Sequence, residues 1–362
     1  MAETDTLKRT ALYEQHQQAE ARLVPFAGYE MPVQYGSVIL ESKAVREAAG
    51  MFDVSHMARL SLKGDRVLEY LEWVTSNDVS KLADNQGQYS LLPNDQGGCV
   101  DDIIVYRLEP NKFAMVVNAS NHEKDVAWLK IQNTFDVQIT DETEQTSMIA
   151  VQGPSATSLL AQHSDAPEAL NGAGPFGVVQ CQIGGVDVFA ARSGYTGEDG
   201  YELICLNDDA PTLWDALIQM GVKPCGLGAR DVLRVEAGLP LYGHELGDTL
   251  SPIAAGLGWV IGKTKKFIGS DIINAAREDG TPRKLQGVKL DSKRLIMPDM
   301  PVYVEDRQVG TVSSGVFSPV LDCGIAFTFL DADVAQGTAC TIDVRGKREP
   351  GTVVNKRFYK RK

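Results

Sequence analysis

Three strand-like segments that follow one another closely constrain the fold more than any other feature of the sequence. Residues 89–92, 100–107 and 113–118 are each predominantly apolar or aromatic, which is typical of strands. A turn rich in Pro, Asn, Asp and Gly, at 93–98, separates the first two. Connections this short join antiparallel strands, because parallel strands need a crossover of about a dozen residues or more. The sequence therefore predicts an antiparallel meander.

Helices are predicted on both sides of this meander. Five segments are predicted to be helical, which are 41–49, 66–74, 125–132, 213–220 and 230–237, and in 66–74 the apolar residues recur at helical spacing. The last two are predicted to end at Gly221 and Gly238. From about Leu285 onward the chain has short strands and turns without a clear helix, which indicates a separate small β domain. Without regular βαβ alternation, the fold class is predicted to be α+β.

Length and charge narrow the functional classes. The 362 residues predict about two to three domains, and a net charge of -13 argues against nucleic acid as a general partner. Residues 345–362 depart from this balance, with eight basic residues and one acidic residue. This basic end is interpreted either as a solvated, frayed terminus or as a surface for an anionic ligand or partner.

Cysteine and histidine usage argues against disulfides and zinc. The six cysteines form no CxxC pair and the five histidines form no HExxH motif, so reduced structural cysteines and no metal site are expected. The acidic start of the chain is unlike a secretory signal or a transit peptide, and no stretch of 18 apolar residues predicts a membrane span. A cytoplasmic protein is therefore expected.

The second strand of the meander carries the first candidate for chemistry. Alternation along it places Asp102, Ile104 and Tyr106 on one face and Asp101 on the other. A carboxylate beside an aromatic residue in an apolar strand is a candidate acid or base. The alternative is that both aspartates lie in water at the end of a hairpin.

A glycine-rich loop at 192–200 precedes a strand predicted at 201–206. The loop is not GxGxxG and no P-loop lysine follows, so a nucleotide site is weakly supported. Glu202 lies between apolar residues, and a buried carboxylate would need a donor partner. The alternative is that Glu202 belongs to an exposed strand face.

Two further segments contain candidate binding residues. On the helix predicted at 230–237, Arg230 could bind a carboxylate, and Asp231 could pair with Arg234 three residues later. The alternative is a helix with ordinary surface ion pairs. His56 and Met57, in the segment 50–57, are interpreted as packing residues.

Taken together and in order, these segments resemble the T-protein family of the glycine cleavage system, whose members are aminomethyltransferases. The segments are MPVQY at 31–35, FDVSHM at 52–57, Gly97-Gly98 with Asp101-Asp102, GYTGEDG at 194–200, CGLGARD at 225–231, LYG at 241–243, and Ser314-Gly315 with Ser318-Pro319. The resemblance runs from about Leu12 to Phe358. Each motif is modest alone, but the ordered set is specific.

The resemblance implies an α+β fold of three domains, arranged as a cloverleaf around a central folate channel and ending in a C-terminal β-barrel-like domain. We expect residues 1–280 to form the folate-binding region, as two α+β domains interleaved along the chain. Residues 281–362 are expected to form the barrel domain.

It also implies the reaction. A member of this family transfers the methylene of an aminomethyl-lipoyl group on H-protein to tetrahydrofolate, and releases ammonia and dihydrolipoyl H-protein. The expected acceptor is tetrahydrofolate without a metal, and the expected partner is lipoylated H-protein. The basic segment from Arg345 is a candidate surface for docking that carrier.

Site residues follow from the resemblance position by position. Asp102 matches the catalytic carboxylate, Glu202 the residue that binds the donor edge of the pterin, and Arg230 a folate-contacting arginine. Positions expected to line the folate pocket are Asn118, Met57, Tyr89, Tyr106 and Tyr195. The chain departs from the family at Ser42, where His is frequent, at Ala58, where Gly is frequent, and over residues 356–362, which do not align clearly.

Two other functions remain alternatives. One is a folate enzyme of the same superfamily that demethylates a small substrate, against which Asp101-Asp102 argues. The other is a folate-binding protein without transferase activity, as in iron–sulfur assembly. Such proteins carry a Lys-Gly-Cys-Tyr segment, whereas the comparable stretch here, 240–245, has no cysteine.

Overall fold

Helices and strands mix throughout the first three quarters of the chain, and only strands follow. The computed structural model describes residues 7–361. Its helices are α1 (Tyr13–Gln18), α2 (Val38–Glu47), α3 (Val67–Val74), α4 (His122–Gln132), α5 (Ala156–Gln162), α6 (Pro167–Gly172), α7 (Ala210–Gln219), α8 (Leu227–Ala237) and α9 (Ser270–Asp279). The five predicted helices are confirmed as α2, α3, α4, α7 and α8. Three of the helices that were not predicted, α1, α5 and α6, have only six or seven residues, which is too short for a periodic pattern to show.

The strands belong to four assemblies. In chain order they are β1 (Arg22–Phe26), β2 (Tyr29–Gln34), β3 (Gly50–Asp53), β4 (Ala58–Lys63), β5 (Gln86–Pro93), β6 (Cys99–Glu109), β7 (Lys112–Val117), β8 (Gln138–Asp141), β9 (Thr146–Gln152), β10 (Val178–Ile183), β11 (Val186–Ala191), β12 (Gly200–Leu206), β13 (Lys223–Pro224), β14 (Arg283–Leu290), β15 (Pro301–Val304), β16 (Arg307–Ser318), β17 (Cys323–Asp331), β18 (Ala339–Val344) and β19 (Lys347–Val354). Strands β1 and β2 form a separate antiparallel ribbon.

The predicted meander is confirmed as three neighbouring strands, β5, β6 and β7, of a five-stranded sheet. Its order is β5-β6-β7-β4-β8, with antiparallel pairs throughout. Asp102 is the cross-strand partner of Leu91, and Ile104 that of Tyr89. Tyr89, Asp102 and Ile104 therefore share one face of the sheet. On the other face, apolar residues of the sheet pack with α3 and α4 in a core that contains Leu71, Ile103 and Leu129.

The second sheet has six strands and is built from two separate stretches of the chain. Its order is β10-β11-β12-β9-β3-β13, and β13 pairs with β3 in parallel. The chain leaves this sheet after β3, builds the five-stranded sheet, and returns at β9. Phe52, Tyr106, Val116 and Met148 belong to one core that joins the two sheets. This packing brings residues of β6 and β12 near each other.

The C-terminal part forms a closed barrel of six strands in the order β14-β17-β16-β15-β18-β19. The α+β class with a C-terminal barrel is confirmed. The barrel packs on α8 through an apolar cluster that includes Val232 and Val235 of the helix and Phe327 of the barrel. The division of the chain at residues 280 and 281 stays a prediction.

The end of α8 shows why a glycine is needed there. Gly238 adopts φ +84°, the left-handed conformation of a helix C-cap. A Cβ at this position would also lie 3.0 Å from Cα of Arg357. The glycine thus ends the helix and lets the C-terminal segment pass close to it. Among residues 7–361, no helix has both the length and the apolar character to cross a bilayer.

Candidate active site

The two sheets, α8 and the C-terminal segment enclose a cavity of about 290 Å³. This volume is near the lower end for small-molecule sites. Seven of the eight residues predicted for the site line it, and these are Met57, Tyr89, Asp102, Asn118, Tyr195, Glu202 and Arg230. Two clefts of about 670 and 680 Å³ lie elsewhere, and of the predicted residues only Tyr106 borders either of them.

Asp102 is held on the cavity side of β6 by two donors. The hydroxyl of Tyr89 donates to Oδ2 over 2.9 Å, and Nδ2 of Asn118 donates to Oδ1 over 2.8 Å. Burial, and secondly the neighbouring charge of Asp101, raise the pKa of Asp102 to about 7, although both hydrogen bonds act to lower it. A carboxyl group with this pKa exchanges its proton near neutral pH. The alternative, an aspartate in open water at a hairpin end, is wrong.

Asn118 connects Asp102 to the buried Asp101. It lies directly after β7, and its backbone N–H donates to Oδ2 of Asp101 over 2.9 Å. Its Nδ2 lies 2.9 Å from Oδ1 of Asp101 and 2.8 Å from Oδ1 of Asp102. One side chain therefore sets the positions of both carboxylates.

Glu202 lines the same cavity from β12 of the six-stranded sheet. Only 6% of its surface is exposed, so the alternative of an exposed strand face is wrong. The hydroxyl of Ser193 donates to Oε2, and burial raises the pKa of Glu202. Among residues 7–361 no group donates to Oε1. The carboxylate thus has acceptor capacity left for a ligand that presents N–H groups.

Arg230 enters the cavity from α8 and carries a positive charge to it. Its guanidinium carbon lies 4.7 Å from the centre of the Tyr195 ring. Among the described residues it makes no ion pair. A half-buried guanidinium without a carboxylate partner favours an anionic or carbonyl group on a ligand.

The helix that carries Arg230 is anchored by a buried ion pair. Arg234 pairs with Asp231 over 2.8 Å, as predicted, and also with Glu245 over 3.0 Å. It donates to the hydroxyl of Ser314 in the barrel over 2.7 Å. The interpretation of this helix as an ordinary surface helix is wrong, because only 2% of Arg234 is exposed. These contacts fix α8 between the barrel and the cavity.

The structure places Tyr106 outside this cavity. Its ring is buried in the core between the sheets and packs edge-on against Phe189, with 5.6 Å between ring centres. The reason is that residues of the second sheet, among them Met148 and Phe189, pack over this end of β6. The Tyr106 hydroxyl lies 3.1 Å from Oγ of Ser193, the residue that donates to Glu202. Among residues 7–361, Ser193 is therefore the hydrogen-bond link between Tyr106 and Glu202.

Residues beyond the predicted seven also line the cavity, and three of them are His56, Trp259 and Lys356. His56, interpreted as a packing residue, lines it, and Nδ1 has no hydrogen-bond partner among the described residues. Burial and the charge of Arg230 lower the pKa of His56 to about 3, so the ring is neutral. Trp259 is 70% exposed and stacks on Tyr89 at the rim. No local pattern in the sequence distinguishes these residues from ordinary packing and surface positions.

The third is Lys356, from the C-terminal segment that did not align clearly. Its ammonium donates to the carbonyl of Ala255 over 2.7 Å, and burial lowers the pKa of Lys356 to about 8. Phe358 stacks on Phe327 of the barrel, and Tyr359 lies over Arg46. Because residues 347–354 form β19, the interpretation of residues 345–361 as a frayed end is wrong.

Comparison with known proteins gives consistent matches over nearly the whole chain. The family model described as "GCVT N-terminal domain" matches residues 12–265. The model described as "Glycine cleavage T-protein C-terminal barrel domain" matches residues 283–360.

Full-length relatives and a solved structure agree with these matches. An aminomethyltransferase of Deinococcus deserti is 44% identical over 98% of this chain and 97% of its own length. One from Bacillus subtilis is 39% identical over 98% of this chain and 100% of its own. The crystal structure of glycine cleavage system aminomethyltransferase T from Bartonella henselae superposes with a TM-score of 0.90 at 32% identity. That match covers 98% of this chain and 99% of the other.

Proposed function

Because the chain belongs to the glycine cleavage T-protein family and is an aminomethyltransferase of the glycine cleavage system, we propose that its acceptor is tetrahydrofolate and its donor the aminomethyl-lipoyl group of H-protein. The products are methylenetetrahydrofolate, ammonia and dihydrolipoyl H-protein. When bound, tetrahydrofolate supplies two nitrogen atoms that together take the methylene. Their two N–H hydrogens balance the hydrogens gained by ammonia and by the lipoyl thiol.

The observation that carries this proposal is the position of Asp102. Its carboxyl group faces the cavity, is held on both oxygens, and has its pKa raised to about 7 by burial and by Asp101. Asp102 can therefore accept a proton from the nucleophilic side and return it to the departing amine. Acid–base help of this kind contributes roughly 10²–10⁴-fold to the rate. Holding both reactants together contributes more, up to about 7–11 kcal/mol in ideal cases.

The remaining predicted residues are proposed to bind the acceptor. Glu202 has a free acceptor oxygen, which suits the N–H edge of a pterin. Arg230 has no anionic partner among residues 7–361, which suits a carboxylate or carbonyl of the same ligand. Tyr89, Tyr195, Asn118 and Met57 line the walls between them. Tyr106 is proposed to act on this site only through Ser193.

The test is a reconstituted reaction. The purified protein is mixed with aminomethyl-loaded lipoyl carrier, with and without tetrahydrofolate, while ammonia and methylenetetrahydrofolate are followed. Fast release of both, only when the protein and folate are present together, is the expected result. Folate binding without turnover would instead mean that the donor is wrong, and small methylated substrates would be tested next.

Three predictions made from the sequence do not depend on this cavity, and they remain predictions. They are the division of the chain into residues 1–280 and 281–362, the cytoplasmic location, and carrier docking on the basic segment from Arg345.

A further inference from the structure

Two polar residues at the start of α4, Asn121 and Asp125, lie on the side of the helix that faces Asp101. Nδ2 of Asn121, the residue before the helix, lies 2.6 Å from Oδ1 of Asp101. Asp125 follows Asn121 by four residues and therefore lies on the same face, one turn further along. None of Asp125 is exposed, and the same is true of Asp101. Two carboxyl groups thus lie side by side in the interior.

Asp125 lacks the donors that a buried carboxylate requires. Neither of its oxygens accepts a hydrogen bond from the residues that the structure describes. The residue one turn before it, Asn121, contacts Asp101, and burial, the charge of Asp101 and a hydrogen bond with it raise the pKa of Asp125. Asp101, in contrast, accepts from the backbone and side chain of Asn118 and from Asn121. Two adjacent carboxylates in the interior would repel each other strongly, whereas one proton between them forms a hydrogen bond.

We propose that Asp125 is a positioning residue for the reaction: it stays a neutral carboxylic acid, donates its proton in a hydrogen bond to Asp101, and so orients Asp101 and Asn118 behind Asp102. The chain of contacts is Asp125 to Asp101, Asp101 to Asn118, and Asn118 to Asp102. Asp125 does not line the cavity. Its effect on the reaction passes through the other three residues.

The surroundings of Asp125 favour the neutral form. Burial, and then the charge of Asp101 and the hydrogen bond to it, raise the pKa of Asp125 to about 11, and the charge of Lys124 only partly opposes this. The titratable groups around it are Lys124 on the same helix, Asp101, Asp102 and Cys99 on β6, and Tyr242, whose hydroxyl contacts Lys124. Lys124 also lies 3.7 Å from Asp248, which weakens its effect on Asp125.

The consequence for Asp102 is electrostatic. The charge of Asp101 raises the pKa of Asp102. A hydrogen bond from Asp125 withdraws part of that charge and limits the effect. This consequence rests on the proposed role of Asp102, whereas the protonation of Asp125 does not.

The protonation is tested first, by infrared spectroscopy of the full chain. At about pH 9, between the pKa of about 7 for Asp102 and about 11 for Asp125, wild type should show the carbonyl stretch of a carboxylic acid. The band should shift in D2O and be absent from Asp125→Asn. A wild-type spectrum without this band, or an unchanged spectrum in the variant, overturns the proposal.

The positioning role is tested by the pH profile of kcat/KM. Asp125→Asn keeps an N–H donor for Asp101, so its activity should stay within about threefold of wild type and its profile should not move. Asp125→Ala removes the donor, and we expect about a tenfold loss, with the acid limb displaced to higher pH. Leu129→Ala is the matched control, because Leu129 is buried on the same helix and packs in the apolar core with Leu71 and Ile103.

The infrared and kinetic results distinguish a failure of the role proposed for Asp125 from a failure of the role proposed for Asp102. If Asp125→Ala does not fold, the infrared band and the retained activity of Asp125→Asn still decide. Equal displacement of the profile in Leu129→Ala would show a general packing effect and overturn the positioning role. If Asp102→Asn turns over normally while the band is present, the proposed role of Asp102 fails and the protonated Asp125 stands.

Discussion

The side-chain amide of Asn118 donates to Oδ1 of Asp102 over 2.8 Å, from the end of one strand to the middle of its neighbour. The same nitrogen lies 2.9 Å from Oδ1 of Asp101 on the other face of that strand. Asn118 therefore holds the cavity-facing carboxylate and the buried one together. The proton affinity of Asp102 depends on burial, on the charge of Asp101, and on the hydrogen bonds from Tyr89 and Asn118.

Replacing Asp102 with Asn should leave the fold intact and remove most of the activity. The two side chains have the same shape, and Asp102 belongs to no buried ion pair among the described residues. Loss of proton transfer should lower turnover by roughly 10²–10⁴-fold. Ammonia release from the loaded carrier measures the loss, and thermal melting checks the fold.

Asp95→Asn, an exposed change in the turn between β5 and β6, is the control and should retain full activity. Wild-type turnover in Asp102→Asn would remove Asp102 from the mechanism.

The rate should rise as the pH increases through about 7. Burial and Asp101 raise the pKa of Asp102 to about 7, so the ionised form, which accepts a proton, accumulates only above that value. The hydrogen bond from Asn118 lowers this pKa. Asn118→Ala should therefore move the acid limb of the kcat/KM profile to higher pH. A limb that stays in place or moves to lower pH would contradict the assignment of this limb to Asp102.

Changing Glu202 to Gln should weaken folate binding more than it lowers turnover at saturation. The carboxylate is proposed to accept hydrogen bonds from the ligand, and bonds to a charged group contribute about 1.5–3 kcal/mol. The expected loss of affinity is about 10- to 100-fold. Titration calorimetry with tetrahydrofolate measures it. Asp187→Asn, at an exposed position of the neighbouring strand β11, is the control. Unchanged affinity in Glu202→Gln would exclude the proposed contact.

Arg46 should be required for stability rather than for chemistry. Its guanidinium lies 2.7 Å from Oε1 of Glu198 and 2.8 Å from Oε2 of Glu236, in a setting where all three side chains are buried. Arg46→Met leaves two buried carboxylates unpaired, and removing one partner of a buried ion pair costs about 3–5 kcal/mol. The free energy of unfolding in urea measures the loss.

A surface pair provides the control for this change. Arg66 pairs with Glu69 at 2.8 Å, but more than half of each side chain is exposed. Arg66→Met should cost less than about 1 kcal/mol. Similar losses in the two variants would contradict a special role for the buried pair.

The site was partly predictable, and the failures have physical reasons. Alternation along β6 placed Asp102 and Ile104 on the cavity face, as observed. The same alternation placed Tyr106 there, but packing against Phe189 buries its ring between the two sheets. His56 and Trp259 became site residues through contacts with distant parts of the chain. Their local sequence carries no signal of those contacts.

Local patterns in the sequence determined many of the helices and strands of this protein. Helical spacing, strand alternation and turn residues predicted five helices, the meander, the strand-rich end and the side of β6 that faces the cavity, because these properties depend on residues close together in the chain. The tertiary structure decided which residues meet. Asp102, Glu202, Arg230 and Lys356 line one cavity although about 250 residues separate the first from the last. Only the closure of the two sheets and the barrel around shared cores brings them together, and the partners and burial that set their proton affinities arise there as well.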